Sequence, residues 1–370
     1  MSNMSKEDWA MLQKHTEFNW SIFDGAFTSG EVGMRKPELR FYRHVLEMTK
    51  SEPEETIFVD DKSENILAAR SLGITGIQFN GTTKFFGQIL NLVGNPIQRG
   101  QDYLSSQGRK PHSLSNTGHA LLDNFTQFLL LEVTSQEDLV DIADNKRTWN
   151  FFIGEPFATT ANYPDDLDTT SVALMQRRAD PAVADSIMDE MLSLRSEDGI
   201  IMTYFDNTRQ RVDPVVCVNV VRLFHSYGRG DDPKLESTKD WIHNVLLYRA
   251  YVDGTRYYLT SDVFLFFFAR LIAENKGSEI YVRNGSLLRE RLRERINADG
   301  DPLALAMRII ACDLMNLRDD IDLGKLLAMQ SRDGSWEKGW LCRYGKSNIM
   351  LENRSLTTAL AMNAIQRLHC

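Results

Sequence analysis

Near residue 94 the chain changes character, and no single sheet or bundle accommodates both parts. From about Phe18 to Gly81 strand-like and helix-like runs alternate. Glu38 to Met48 carries Phe41, Tyr42, Val45 and Leu46 at helical spacing. Thr56 to Val59 is β-prone and stops at Asp60-Asp61, Glu64 to Leu72 reads as a helix ended by Gly73, and Ile74 to Phe79 reads as a second strand closed by Asn80-Gly81. Strand, helix, strand at this spacing predicts a βαβ unit with parallel strands. The residues after Val59 then lie at the carboxyl edge of the sheet, where open α/β folds bind ligands.

From about Gly94 to Thr117, Gly, Pro, Ser, Gln and Asn dominate, which reads as a linker. Beyond it the periodicity is almost wholly helical. Leu121, Leu122, Phe125, Phe128 and Leu129 share one face, as do Ile187, Met188, Met191 and Leu192, and Leu303, Met307, Ile310 and Leu314. Asp-Gly turns at 198–199, 253–254, 299–300 and 333–334 separate the helices. The expected organisation is an α/β domain over residues 1–95, a linker over 96–117 and an all-α domain over 118–370, arranged as a helical toroid.

The 42 basic and 51 acidic residues give a net charge of −9, which argues against a nucleic-acid partner. The most apolar stretch, Val263 to Ala273, is about half the ~20 residues of a membrane span and contains Arg270. The N-terminus has no apolar signal core. Cys217, Cys312, Cys342 and Cys370 are far apart and form no CxxC pair, so a reducing, cytoplasmic setting is expected. The seven His residues form no metal-spaced pair.

The sharpest motif is Asp165-Asp166-Leu167-Asp168-Thr169-Thr170. Asp168 or Thr169 could simply cap a helix beginning near Ser171. The chemical reading is a Brønsted acid. Closely placed carboxylates push their pKa values apart and keep one protonated. Asp168 would be the donor, Asp166 its partner, and Thr169 and Thr170 the orienting hydroxyls. Phe264, Phe266, Phe267 and Phe268, with Tyr257 and Tyr258, are rings that could hold a carbocation or pack a core. A second acidic string, Asp60-Asp61-Lys62-Ser63-Glu64, is spaced either as a capping box or as a magnesium site, with Lys36 available to neutralise phosphate. Asp319-Asp320-Ile321-Asp322 reads as a solvated helix end, Arg209 with Arg211 as an anion clamp or, more simply, exposed loop charge, and Leu288 to Arg295 as a solvated, salt-bridged face.

The string Asp166-Leu167-Asp168-Thr169-Thr170 resembles the DxDTT variant of the acid motif of class II terpene cyclases, in which the middle aspartate protonates an alkene. Leu326 to Trp336 resembles the QW repeat of these α-barrel enzymes, and Asp198 to Phe205 a degenerate copy. Lys36-Pro37 and Asp60-Asp61 resemble the third and fourth motifs of the haloacid dehalogenase-like (HAD) phosphatases. The phosphatase nucleophile motif DxD is missing, since only Asp8 and Asp24 precede Lys36. The combination is similar to the HAD-like drimane-type sesquiterpene cyclases, with a truncated HAD-like N-terminal domain. That resemblance implies protonation-initiated cyclisation of farnesyl diphosphate by an isomerase or lyase. Asp60, Asp61 and Glu64 would then hold Mg²⁺ and, with Lys36, the diphosphate, and separate phosphatases would act downstream. The alternative is a HAD-type phosphatase acting on prenyl or other small phosphates.

Overall fold

The computed structural model describes the chain except residues 15–16, 110, 143–145, 338, 345–347 and 370, so Cys370 lies outside the described residues. Two compact units divide the chain, Met1–Leu92 and Val93–Cys370.

The first unit contains α1 (Lys6–Leu12), α2 (Ser29–Val32), α3 (Leu39–Thr49), β1 (Ile57–Asp60), α4 (Ser63–Arg70), β2 (Thr75–Gln78) and most of α5 (Thr82–Val93). Strands β1 and β2 pair in parallel, Ile57 with Thr75 through Asp60 with Gln78, as the βαβ spacing requires. Tyr42, Ala68, Ala69 and Ile74 form a small core between α3, α4 and the end of that crossover.

The second unit is built from α6 (Pro96–Gln107), β3 (Ser113–Ser115), β4 (Ala120–Leu121), α7 (Asn124–Thr134), α8 (Leu167–Gln176), α9 (Pro181–Ser193), α10 (Pro214–Ser226), α11 (Glu236–Leu247), α12 (Ser261–Glu274), α13 (Glu279–Arg295), α14 (Pro302–Leu314), α15 (Asp320–Ala328), β5 (Trp340–Tyr344), β6 (Ile349–Glu352) and α16 (Arg354–His369). Six helices form a closed inner ring. Helix α7 packs on α8, α8 on α10, α10 on α12, α12 on α14, α14 on α16, and α16 returns to α7. Helices α6, α11, α13 and α15 pack against this ring from outside, and α9 joins α8 and α10 through Ile187, Met188 and Met191. The predicted toroid is therefore present. The inner helices are buried on more than one face, so the single apolar stripe read for α14 understates it: every residue from Leu303 to Cys312 is buried.

The stretch 96–117 is not a linker. Asn95 caps α6 by accepting the Gln98 amide at 3.0 Å, and Pro96 occupies the first turn, where its missing N–H costs nothing. Tyr103 and Leu104 are buried in the core, with α6 packed on α16. Strand β3 follows, inside a four-stranded sheet of order β4-β3-β6-β5. Asn-Pro here starts a helix rather than a turn.

The QW-like run ties the ring to this helix. Trp336 is fully buried and its indole N–H donates to Leu326 O at 2.7 Å. Gln330 Nε2 donates to Gly334 O at 2.8 Å and to Pro96 O at 2.9 Å. Gly334 sits at φ +92°, with its Cβ position 2.1 Å from Arg99 O, so only glycine fits.

Two ionic clusters replace apolar contacts inside the ring. Arg308 of α14, fully buried, donates to Asp262 at 2.9 Å and to Asp322 at 2.7 Å. Glu132 of α7 is held by Arg222 at 2.7 Å and by Arg270, which explains a charge within the most apolar helix. Asp322 is thus a buried ion-pair partner rather than part of a solvated helix end, although Asp319 does cap α15. Arg291, read as solvated, is likewise buried and donates to the Leu246 and Leu247 carbonyls. Cys217, Cys312 and Cys342 are buried free thiols, and no described helix is long and apolar enough to cross a membrane.

Replacing Arg308 by Met strips both carboxylates of their shared cation. The expected cost is about 3 kcal/mol, read in thermal unfolding as a fall in Tm of roughly 6–12 °C.

Candidate active site

The aspartate motif opens α8. Asp166, not Asp168 or Thr169, is the cap: its Oδ1 accepts the Thr169 amide at 2.6 Å and its Oδ2 the Thr169 hydroxyl at 3.0 Å. The helix therefore begins at Leu167, which places Asp168 and Thr169 in its first turn. The backbone leading in is stitched on both sides. Asp166 N donates to Trp149 O at 3.0 Å, and Leu167 N to Thr203 O at 2.8 Å. Residues 198–205, read as a degenerate tying repeat, include instead the extended segment that bridges Asp166 through Tyr204. Thr170 does not reach a carboxylate; its hydroxyl accepts the Trp149 amide at 2.9 Å and so fixes the entry loop.

Asp168 lies in the wall of a narrow cavity of about 50 Å³. Its Oδ1 accepts Asn219 Nδ2 at 2.7 Å and its Oδ2 accepts the Tyr258 hydroxyl. No cation pairs with Asp166 or Asp168 among the described residues. Burial pushes the Asp168 carboxyl up to about 7, with a further upward push from Asp213, against the downward pull of Tyr258 and Asn219. Burial likewise lifts Asp166 to about 8, helped by the charges of Asp168 and Asp165 and opposed by Thr169. Desolvation, more than mutual repulsion, keeps both protons on near neutrality. Two side-chain donors, Asn219 and Tyr258, stand ready to solvate the conjugate base of Asp168.

Most of the rest of the wall is aromatic: Phe125, Phe151, Tyr163, Tyr204, Tyr257, Tyr258 and Tyr344. The rings of Phe264, Phe266, Phe267 and Phe268 are core residues of α12, and of the aromatic residues singled out in the sequence only Tyr257 and Tyr258 face the cavity. Two supporting residues, Asn219 and Asp213, escaped the sequence reading, and Tyr258 was singled out only as a ring. Asn219 was visible as a lone amide in the apolar run Val215 to Val221, and Asp213 as an acid before a helix-opening proline. Tyr258 carried no signal beyond its aromaticity.

In the first unit, Lys36 pairs with Asp60, whose Oδ1 also accepts Asn65 Nδ2 and the Lys62 amide, each at 2.9 Å. Burial pushes Asp60 up, but these hydrogen bonds outweigh it and hold the carboxyl below its ordinary value. Asp61 and Glu64 are exposed, and α4 starts after Lys62 without a side-chain cap, so the capping box is not formed. Among the described residues no three acidic, His or Cys groups come together as a metal site. The Asp60–Asp61–Glu64 set therefore does not fit Mg²⁺ as arranged: its most buried carboxylate is already neutralised by an ammonium.

Comparison with known proteins agrees with this division. The family described as sesquiterpene cyclase astC-like C-terminal domain matches residues 97–227, and the haloacid dehalogenase-like hydrolase family matches residues 2–79. Drimenol cyclase drtB of Aspergillus calidoustus is 44% identical over 365 residues, 99% of this chain and 69% of that protein. The chain belongs to the HAD-like, drimane-type sesquiterpene cyclases. Sesquiterpene phosphatase astK of Aspergillus oryzae is 40% identical over 94 residues, 25% of the cyclase chain and 47% of astK. Among solved structures, the type II terpene cyclase MstE from Scytonema, as a variant bound to geranylgeranyl dihydroxybenzoate, superposes with a TM-score of 0.51 at 15% identity. That match covers 75% of the cyclase and 98% of MstE, and it establishes the fold.

The raised acid makes a stability prediction with a definite sign. A carboxyl whose folded value lies above its unfolded one supports folding at low pH, and that support is lost as pH rises from about 4 toward about 7. Asp168→Asn removes the loss while keeping the shape. Its Tm relative to wild type should therefore climb between about pH 5 and about pH 8, measured by scanning calorimetry in matched buffers.

Proposed function

We propose that the cyclase converts farnesyl diphosphate to a bicyclic drimane-type product, of drimanyl or albicanyl type, that still carries its diphosphate. The observation that carries this reading is Asp168: a buried acid with a value of about 7, aimed into an aromatic cavity and bonded to two donors. Burial keeps the proton on until an alkene is present. Asn219 and Tyr258 then hold the carboxylate that remains, so the stabilisation grows as the charge develops. Asp166, protonated at neutral pH, adds no second negative charge beside it and positions the helix turn through Thr169. Thr170 holds the Trp149 entry loop.

Proton transfer from Asp168 to the terminal double bond of the prenyl chain leaves a tertiary cation. Two ring closures follow as the remaining double bonds attack in turn, and the drimanyl cation is quenched by proton loss or by water. Ring faces of Phe125, Phe151, Tyr163, Tyr204 and Tyr344 can support the moving charge, at about 2 kcal/mol or more each when desolvated. The HAD-like resemblance implies Mg²⁺, but Asp60, Asp61 and Glu64 do not form its site, and no step here runs through a metal. Removal of the diphosphate is assigned to a separate hydrolysis. The small-molecule partner is thus a prenyl diphosphate, with a phosphatase acting on the product.

Incubating the purified protein with farnesyl diphosphate in deuterium oxide tests this directly. The product, after phosphatase treatment and mass spectrometry, should be a bicyclic alcohol carrying one solvent deuterium; linear farnesol without deuterium would sink the reading. Asp168→Asn should lower the rate by at least about a thousandfold. Tyr258→Phe removes one donor that lowers the acid's value. The alkaline limb of its kcat profile should move to higher pH and its rate should fall about 10–100-fold.

A further inference from the structure

A prenyl diphosphate has an apolar tail and a strongly anionic head, and the cavity described above offers surfaces for both. Arg343 lines it between Cys342 and Tyr344 on β5. The backbone fixes this position. Arg343 N donates to Tyr257 O at 2.8 Å, and Cys342 is bridged to Tyr258, the residue that holds Asp168. The guanidinium uses Nε and Nη2 on the Arg256 and Thr255 carbonyls, at 3.3 and 2.9 Å. Nη1 takes neither bond, and no carboxylate pairs with Arg343 among the described residues. Protein cations near carboxylates elsewhere in this unit, Arg308 and Arg222 for example, are neutralised; this one is not.

Two more guanidiniums flank the same wall. Arg209 lies 5.8 Å from the Tyr163 ring centre and 6.0 Å from that of Tyr204, and Arg256 lies 5.7 Å from that of Tyr257. These three tyrosines line the cavity and are joined hydroxyl to hydroxyl, at 2.9 and 3.0 Å. Arg209 shares Asp206 at 3.2 Å, whereas Arg256 is exposed and has no ion-pair partner among the described residues.

We infer that Arg343, flanked by Arg256 and Arg209, is the anchor for the substrate's diphosphate, and that it works without a bridging metal. The inference rests on the prenyl diphosphate reading above. A guanidinium fork matches phosphate oxygens two at a time and stays charged at any working pH. Carboxylates such as Asp60, Asp61 and Glu64 repel a diphosphate unless a metal stands between, and they do not form a metal site. Anchoring the head by the acid's own unit also fixes the tail against Asp168 through one rigid wall, since Arg343 and Tyr258 belong to paired backbone segments. Arg209 is thereby more than exposed loop charge.

The test uses the full chain and inorganic pyrophosphate as the probe, with EDTA present, in titration calorimetry. Wild type should bind it, and Arg343→Ala and Arg256→Ala should each weaken binding by about tenfold or more. Arg343→Lys should recover part of the loss. Arg318→Ala, an exposed arginine paired with Asp320 on another face, should change nothing. With farnesyl diphosphate the same two alanine variants should raise KM more than they lower kcat. Arg256 makes no side-chain hydrogen bond among the described residues, so its variant separates lost anchoring from lost folding. Pyrophosphate binding that requires a metal, or alanine variants with wild-type KM and affinity, would overturn the anchor. If wild type binds pyrophosphate through these arginines yet cyclises nothing, the anchor stands and the farnesyl reading falls.

Discussion

An ionisable carboxyl without a cation is among the costliest groups a fold can bury, and the helical unit is organised around keeping Asp168 and Asp166 in that condition. Elsewhere in the ring several buried charges are matched: Arg308 answers Asp262 and Asp322, and Arg222 and Arg270 answer Glu132. At the cavity the answer is withheld. Neutral donors, Asn219, Tyr258 and Thr169, replace cations, so the acids keep protons that a matched pair would have released. A closed six-helix ring is what makes such a dry site available, because each inner helix is covered on several sides.

Stability and acidity therefore pull against each other at one residue. The protons cost folding energy at neutral pH, and the apolar inner helices offset it. Helices α12 and α14, buried almost throughout, carry much of that burden. The arginine-lined tyrosine wall extends the same logic, with charge placed at the rim, where water still reaches it, and withheld from the interior.

Local signals were legible where the physics is local. The parallel βαβ pairing followed from spacing alone. The aspartate motif was legible as a string of residue types, and its residues lie buried. What the string could not convey was its support. Asn219 and Tyr258 reach Asp168 from 51 and 90 residues away, and such distances leave no periodicity to read. The 96–117 stretch misled because its polar composition masks a helix that buries only Gly100, Tyr103 and Leu104. In the acidic string after β1, Lys36 pairs with Asp60, a partner set by tertiary contact and not by spacing.

Ring closure also sets an order of events. The cavity's last wall segments, β5 and β6, pair with β3 through Leu114–Glu352 and Ser115–Leu351, and α16 packs back on α7. During synthesis the aspartates leave the ribosome some two hundred residues before the chain that seals them in. Until that chain arrives, water reaches Asp166 and Asp168, and they ionise as ordinary carboxylates. Docking of the C-terminal strands and helix removes that water, and burial then raises both carboxyls.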